Sequence, residues 1–149
     1  MDIYVDGDAC PVKTEVVRVA ERHNVLVHIV SNAFMKLPDS HLVKRVIVDD
    51  SFDAADNWIA EHALDIDLVI TADIPLAHRC VQKGAAVISP TGHIFDTQNI
   101  GNALAMRDLK SILRESGEIK DHNPSFTKKH RSQFLQQLEL TIQKIKRRD

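Results

Sequence analysis

Short runs of β-branched and aliphatic residues alternate with segments of helical periodicity from Asp2 to Ile88, and this alternation constrains the fold more than any other feature. Asp2–Asp6 reads as a strand ending in an aspartate, and Pro11 suits the first turn of a helix running to about His23. Val25–Val30 and Val43–Val48 are runs of strand length, separated by a segment in which Asn32 and Pro38 act as breakers. Asp50 or Ser51 is positioned to cap the next helix, whose residues Ala55, Ile59 and His62 or Ala63 recur at helical spacing. Leu68–Thr71 is the following strand, Pro75 opens a helix that Gly84 closes, and Ala85–Ile88 is a further strand before Pro90-Thr-Gly92 turns the chain away.

Strands that are apolar nearly throughout, each followed by a helix, predict a three-layer α/β fold: a mostly parallel sheet of about five strands covered on both faces. Ile100–Leu113 is expected to be helical, Ser116-Gly117 to Pro124 a loop, and Ser132–Ile145 a last helix with Phe134, Leu135, Leu138, Ile142 and Ile145 on its apolar side. The length of 149 residues is that of one domain, with residues from about 118 to 149 as a C-terminal helical extension.

An apolar fraction of 44% and a charged fraction of 27% argue against disorder and fibrous architectures. No apolar run approaches the roughly 20 residues of a membrane span, and Asp2, Asp6 and Asp8 do not fit a secretory leader, so a cytoplasmic location with no membrane partner is expected. Cys10 and Cys80 lack metal or redox spacing and read as buried thiols. Charge is unevenly placed: residues 1–109 carry 9 Lys/Arg against 16 Asp/Glu, and residues 110–149 carry 10 against 5. Seven of these ten basic groups form two clusters, Lys128, Lys129 and Arg131 before the last helix and Lys144, Lys146, Arg147 and Arg148 at its end, where the helix dipole alone favours them. Contact with a phosphate backbone is the other reading.

In open parallel sheets the functional crevice lies beyond the carboxyl ends of the strands. Aspartates collect at those ends: Asp6 and Asp8 after the first strand, Asp49 and Asp50 after the third, Asp53 and Asp56 at the start of the ensuing helix, and Asp73 after the fourth. Spacing of i, i+3 lets one helical face present both Asp53 and Asp56. Capping of loops and helix starts accounts for some of these residues, but as a group they repel one another unless a cation intervenes. Hard ions, Mg²⁺ or Mn²⁺, select such oxygen donors. Asp6, Asp8 and Asp73 are the sharper candidate metal ligands, Asp56 shares a helical face with Asp53, and Asp49, Asp50 and Asp53 divide between capping and ligation; Thr71 is a candidate hydrogen-bond partner of a ligand carboxylate. Lys13 and Arg107 are candidate phosphate contacts. No histidine pair has the spacing of a zinc-protease helix, His62 and His78 read as structural, and Trp58 reads as core or interface.

Four segments, Ile3-Tyr-Val-Asp-Gly-Asp-Ala-Cys-Pro-Val-Lys13, Phe52-Asp-Ala-Ala-Asp-Asn-Trp-Ile59, Thr71-Ala-Asp-Ile-Pro-Leu-Ala77 and Asn99-Ile-Gly-Asn-Ala-Leu-Ala-Met-Arg-Asp-Leu109, resemble the bacterial YaiI/YqxD family, and the likeness continues to Arg131-Ser-Gln-Phe-Leu135. The resemblance implies a PIN-like nuclease fold related to NYN domains. It also implies Mg²⁺ or Mn²⁺ held at Asp6 or Asp8, at Asp53 or Asp56, and at Asp73. The chain departs from the family's usual pattern in having Asp6-Gly7-Asp8 for Asp-Ala-Asp, in the stretch Asp121–Phe126, and at His130 before Arg131. PIN nucleases tend to carry a further acidic residue after the fifth strand; here Ser89-Pro-Thr-Gly92 has none, and Asp96 is a distant substitute.

Three readings follow. The first is a metal-dependent phosphodiesterase for RNA or single-stranded nucleic acid, with Asp6, Asp8 and Asp73 as catalytic carboxylates. The second is a binding module that holds RNA or a protein without turnover. The third is a haloacid-dehalogenase-type phosphatase with Asp6 as nucleophile and Asp8 as acid/base, against which stand Cys10 and the lack of a lysine motif.

Overall fold

The computed structural model describes residues 1–117 and 125–148. Six strands, β1 (Ile3–Asp6), β2 (Val27–Ser31), β3 (Val43–Ile47), β4 (Leu68–Ile70), β5 (Ala86–Ile88) and β6 (Ile94–Phe95), form one sheet in the order β3-β2-β1-β4-β5-β6. All neighbours are parallel except β5 and β6. The helices are α1 (Lys13–His23), α2 (Ala54–His62), α3 (Ile74–Gln82), α4 (Ile100–Glu115) and α5 (Lys128–Arg147). The expected mostly parallel α/β architecture with C-terminal helices is present, with six strands rather than about five.

The period-two alternation of each strand sorts its side chains between two cores. Ile3, Val5, Val27, Ile29, Leu68, Ile70 and Ile88 meet Val16, Val17, Val19 and Ala20 of α1 and Phe134, Leu138, Ile142 and Ile145 of α5. Tyr4, Val30, Val69 and Val87 face the other way, against Ile59 and Ala60 of α2, Leu76, Ala77, Cys80 and Val81 of α3, and Ile100 of α4. Burying one such aliphatic or aromatic side chain contributes about 1.5–3 kcal/mol, so these two cores dominate the favourable side of folding. Both cysteines are buried free thiols. Trp58 is half-buried and stacks on His62 at 3.8 Å between ring centroids.

Several boundaries differ from expectation for identifiable reasons. β6 has only two residues, too short to show periodicity; Gly92, at φ +90°, turns the chain back so that β6 pairs with β5. An added Cβ at Gly92 would lie 2.7 Å from the Gln133 carbonyl carbon, so the hairpin touches the α5 backbone. α5 begins four residues before Ser132, because Thr127 accepts from the His130 N–H while the Thr127 N–H donates to His130 Nδ1. This is a capping box with His in place of the usual Glu or Gln. The N-cap of α2 is Asp53 rather than Asp50 or Ser51. The loop expected between Ser116-Gly117 and Pro124 falls, beyond Gly117, outside the described residues, as does most of the Asp121–Phe126 stretch. Among the described residues no helix is long and apolar enough to cross a membrane.

The strand order places the crevice. The chain runs outward from β1 through β2 to β3, then returns to lay β4 on the other side of β1. The direction of winding reverses between β1 and β4, so the loops leaving their carboxyl ends diverge and open a cleft there.

Candidate functional site

Asp6 is the last residue of β1, and Thr71 and Asp73 follow β4, so the two strands at the reversal supply facing groups. Thr71 is buried, and its hydroxyl donates to Asp6 Oδ2 at 3.0 Å while accepting from the Asp73 N–H at 3.0 Å. One hydroxyl thus fixes both acidic positions. Asp73 is also the N-cap of α3: its Oδ1 accepts from the Leu76 N–H at 2.9 Å, and Pro75 in the first turn pre-sets the helix. Asp73, read from sequence as a ligand candidate, is thus a helix cap and a cleft residue at once.

Asp8 sits in a single 3-10 turn, Gly7–Ala9, directly after β1. Its carboxylate accepts from the Asn32 N–H at 3.2 Å, which ties the turn to the end of β2. Gly7 allows the approach, since an added Cβ would lie 3.0 Å from both the Val30 carbonyl oxygen and Ile29 Cγ2. The Lys13 ammonium donates to the Gly7 and Cys10 carbonyl oxygens at 3.1 and 2.8 Å and so holds the same turn. The reading of Lys13 as a phosphate contact stands beside this backbone clamp, which uses two of the three ammonium donors.

The third wall is the β3–α2 connection. Asp49 accepts from the Ser51 N–H at 2.9 Å and from its hydroxyl, and these bonds hold the Asp49 carboxyl below the usual carboxylate range. Asp53 has φ 68° and ψ 7°, left-handed backbone, and its side chain makes no capping hydrogen bond. Within the first turn of α2, Asp56 faces the cleft. The lining residues are Asp6, Asp8, Asn32, Asp49, Asp50, Ser51, Phe52, Asp53, Ala54, Ala55, Asp56 and Asp73, around about 330 Å³. All charged side chains in that lining are aspartates.

Their titration shows which of them interact. Burial pushes the Asp6 carboxyl up; the Thr71 hydrogen bond opposes this, and the charges of Asp73 and Asp8 add to it. Asp56 is pushed up to about 6, by burial first and then by Asp73, Asp6 and Asp53, with Arg79 opposing. Asp6, Asp56 and Asp73 therefore form the electrostatic centre, with Asp8 and Asp53 beside them. Among the described residues no three His, Cys, Asp or Glu side chains stand as a ready-made metal-ligand group. The donor chemistry nevertheless suits a hard, hydrated cation: Mg²⁺ keeps several waters and is commonly bound through only one or two carboxylates.

Arg107 is not brought to this cleft. It is exposed on α4, 3.7 Å from Asp108, and is absent from the lining. Arg79 of α3 is the cation whose charge reaches Asp56, and its Nη1 donates to Asn57 Oδ1 at 2.8 Å across to α2. Sequence reasoning missed Arg79 because nothing in its spacing shows that α2 and α3 are neighbours. It also missed Asn32, whose contribution is a backbone N–H that any residue type could supply.

The profile of a family described as "Uncharacterized BCR, YaiI/YqxD family" matches residues 4–144. The UPF0178 protein of Parvibaculum lavamentivorans is 55% identical over 147 residues, spanning 99% of this chain and 97% of its own length. The UPF0178 protein Atu1478 of Agrobacterium fabrum is 54% identical over 145 residues, 97% of this chain and 95% of its own. That of Rhodospirillum rubrum, Rru_A0086, is 53% identical over 148 residues, 99% of both. No solved structure matches the chain at a significant level. A match of this length and identity, carried through the aspartate-bearing segments, shows that the chain belongs to the YaiI/YqxD family of UPF0178 proteins.

Proposed function

We propose that this protein is a Mg²⁺- or Mn²⁺-dependent phosphodiesterase, ribonuclease-like and of PIN-like descent, acting on RNA or single-stranded nucleic acid. The observation that carries the reading is the cleft at the β1/β4 reversal, where aspartates are the charged side chains among the described lining residues, and where burial and then the charge of Asp73 push the Asp6 and Asp56 carboxyls up. Apposed carboxylates of this kind are costly to ionise together without a counter-charge. Asp6 and Asp73, both positioned by Thr71, are the proposed direct ligands. Asp8 and the pair Asp53 and Asp56 flank them and would serve a second ion. A bound divalent cation supplies Lewis-acid polarisation of the phosphate and an acidified water.

The test is incubation with Mn²⁺ and mixed RNA and DNA oligonucleotides, separated by length. Metal-dependent cleavage is expected, with Asp6→Asn and Asp73→Asn each reducing it by orders of magnitude. Neither substitution disturbs the local frame: Asn still accepts from Thr71, and Asn is as good an N-cap as Asp. The binding-module reading is favoured by one feature, the carboxyl end of β5. Ser89 there is buried, and its hydroxyl pairs with Thr91 at 2.9 Å and accepts the His93 N–H at 3.1 Å, so a hairpin stands where a further carboxylate was implied. Metal binding without cleavage of any substrate would transfer the proposal to that reading. The phosphatase reading gains no support, since no lysine is among the described residues lining the cleft.

A further inference from the structure

Phe52 is 94% exposed, the most exposed of the large apolar side chains among the described residues, and it stands in the wall of the aspartate cleft. Exposure of a whole ring forgoes roughly 1.5–3 kcal/mol that burial would contribute. The ring is not on a loose tether. Asp49 fixes Ser51 on one side, the Ala54 N–H donates to the Ser51 carbonyl at 3.2 Å, and the Asn57 N–H donates to the Asp53 carbonyl at 2.8 Å. Residues 51–54 thus form a turn with Asp53 in the left-handed conformation at the third position and Phe52, whose φ is not positive, at the second. This is the pattern of a type II turn, whose third position normally takes Gly. A strained, doubly anchored turn therefore presents the ring outward.

The neighbours of the ring decide what can cover it. Asp50, Ser51 and Asp53 beside it in the chain are polar and exposed. A protein interface needs a contiguous apolar core, and an isolated ring among carboxylates does not provide one. A nucleobase needs only one π-face, which every base offers. We propose, resting on the nucleic-acid reading of the same cleft, that Phe52 is the stacking platform for an unpaired base of the bound strand, next to the phosphate held at the carboxylates. Double-stranded substrates, whose bases are already stacked, are correspondingly disfavoured.

The probe is a short oligouridine RNA and an abasic sugar-phosphate strand of equal length, each titrated by fluorescence anisotropy in Ca²⁺ and in Mn²⁺. Phe52→Ala is expected to weaken oligouridine binding about 5- to 150-fold, from the usual stacking contribution per base. Phe52→Trp retains or strengthens binding, Phe52→Leu remains weak, and the abasic strand binds wild type and Phe52→Ala alike. A thermal melt identifies any variant that fails to fold. Equal oligouridine affinity for wild type and Phe52→Ala, or an equal loss on the abasic strand, overturns the stacking role while leaving cleavage by the wild type to speak for the nuclease reading. Conversely, base-dependent binding without cleavage keeps the stacking role and removes the nuclease. Absence of any strand binding by the wild type overturns both.

Discussion

At Asp56, burial and the charges of Asp73, Asp6 and Asp53 act in one direction, lifting the carboxyl from an ordinary 3.8 to about 6. Between those values the folded protein holds a proton that the unfolded chain has released. Stability from this group is therefore fully present below about pH 4 and is lost as pH rises through about 6. Asp6, displaced upward as well, adds in the same sense. In metal-free protein, Asp56→Asn is predicted to raise the Tm, with a difference from wild type that is small near pH 4 and full above about pH 6 to 7. A difference independent of pH would contradict the coupling. Thr71 acts at the same scale. Thr71→Val keeps the shape but removes the donor to Asp6 and the acceptor for the Asp73 N–H, with a predicted loss of about 1–3 kcal/mol in chemical denaturation. No loss would mean that the hydroxyl does not hold the two carboxylates. The candidate aspartates were legible in the sequence because each follows a strand or opens the helix after one. Their partners were not, because a contact such as Thr71 to Asp6 joins residues 65 apart and exists only once β1 and β4 pair.

Among the elements, α5 distinguishes packing from ion pairing. It is joined to α1 by Glu139, which contacts Arg22 and His23, and by the Lys146 ammonium on the His23 carbonyl at the end of α1. Phe134, Leu138, Ile142 and Ile145 are buried against the sheet and α1. Phe134→Ala is predicted to cost about 3–5 kcal/mol, and Glu139→Gln no more than about 1 kcal/mol, because the pair is solvent-accessible. Urea titrations of the two variants check this order, and a larger loss at Glu139 would show that the ionic clasp, not the apolar face, seats the helix. The apolar stripe of α5 could be read from periodicity. Its start at Lys128 could not, because His130 rather than Glu or Gln closes the capping box.

At the scale of the whole molecule, alternation of apolar strands with helices was sufficient for the α/β class and the parallel β1–β5 core. Strand order was not readable, and strand order makes the site: only the reversal between β1 and β4 turns aspartates scattered from residue 6 to residue 73 into one cleft. For the same reason Arg107 lies outside the cleft, and the cation whose charge reaches Asp56 is Arg79. The cleft's excess negative charge is the property from which its chemistry is argued, so the most direct measurement is of the counter-ion. Isothermal calorimetry and thermal melting at neutral pH with Mn²⁺ are predicted to show heat of binding and a raised Tm, with about 2.7 kcal/mol of stabilisation at a hundredfold excess over Kd. Asp6→Asn and Asp73→Asn should each abolish both signals while remaining folded. A wild-type melting curve indifferent to millimolar Mn²⁺, with no heat of binding, would contradict the account.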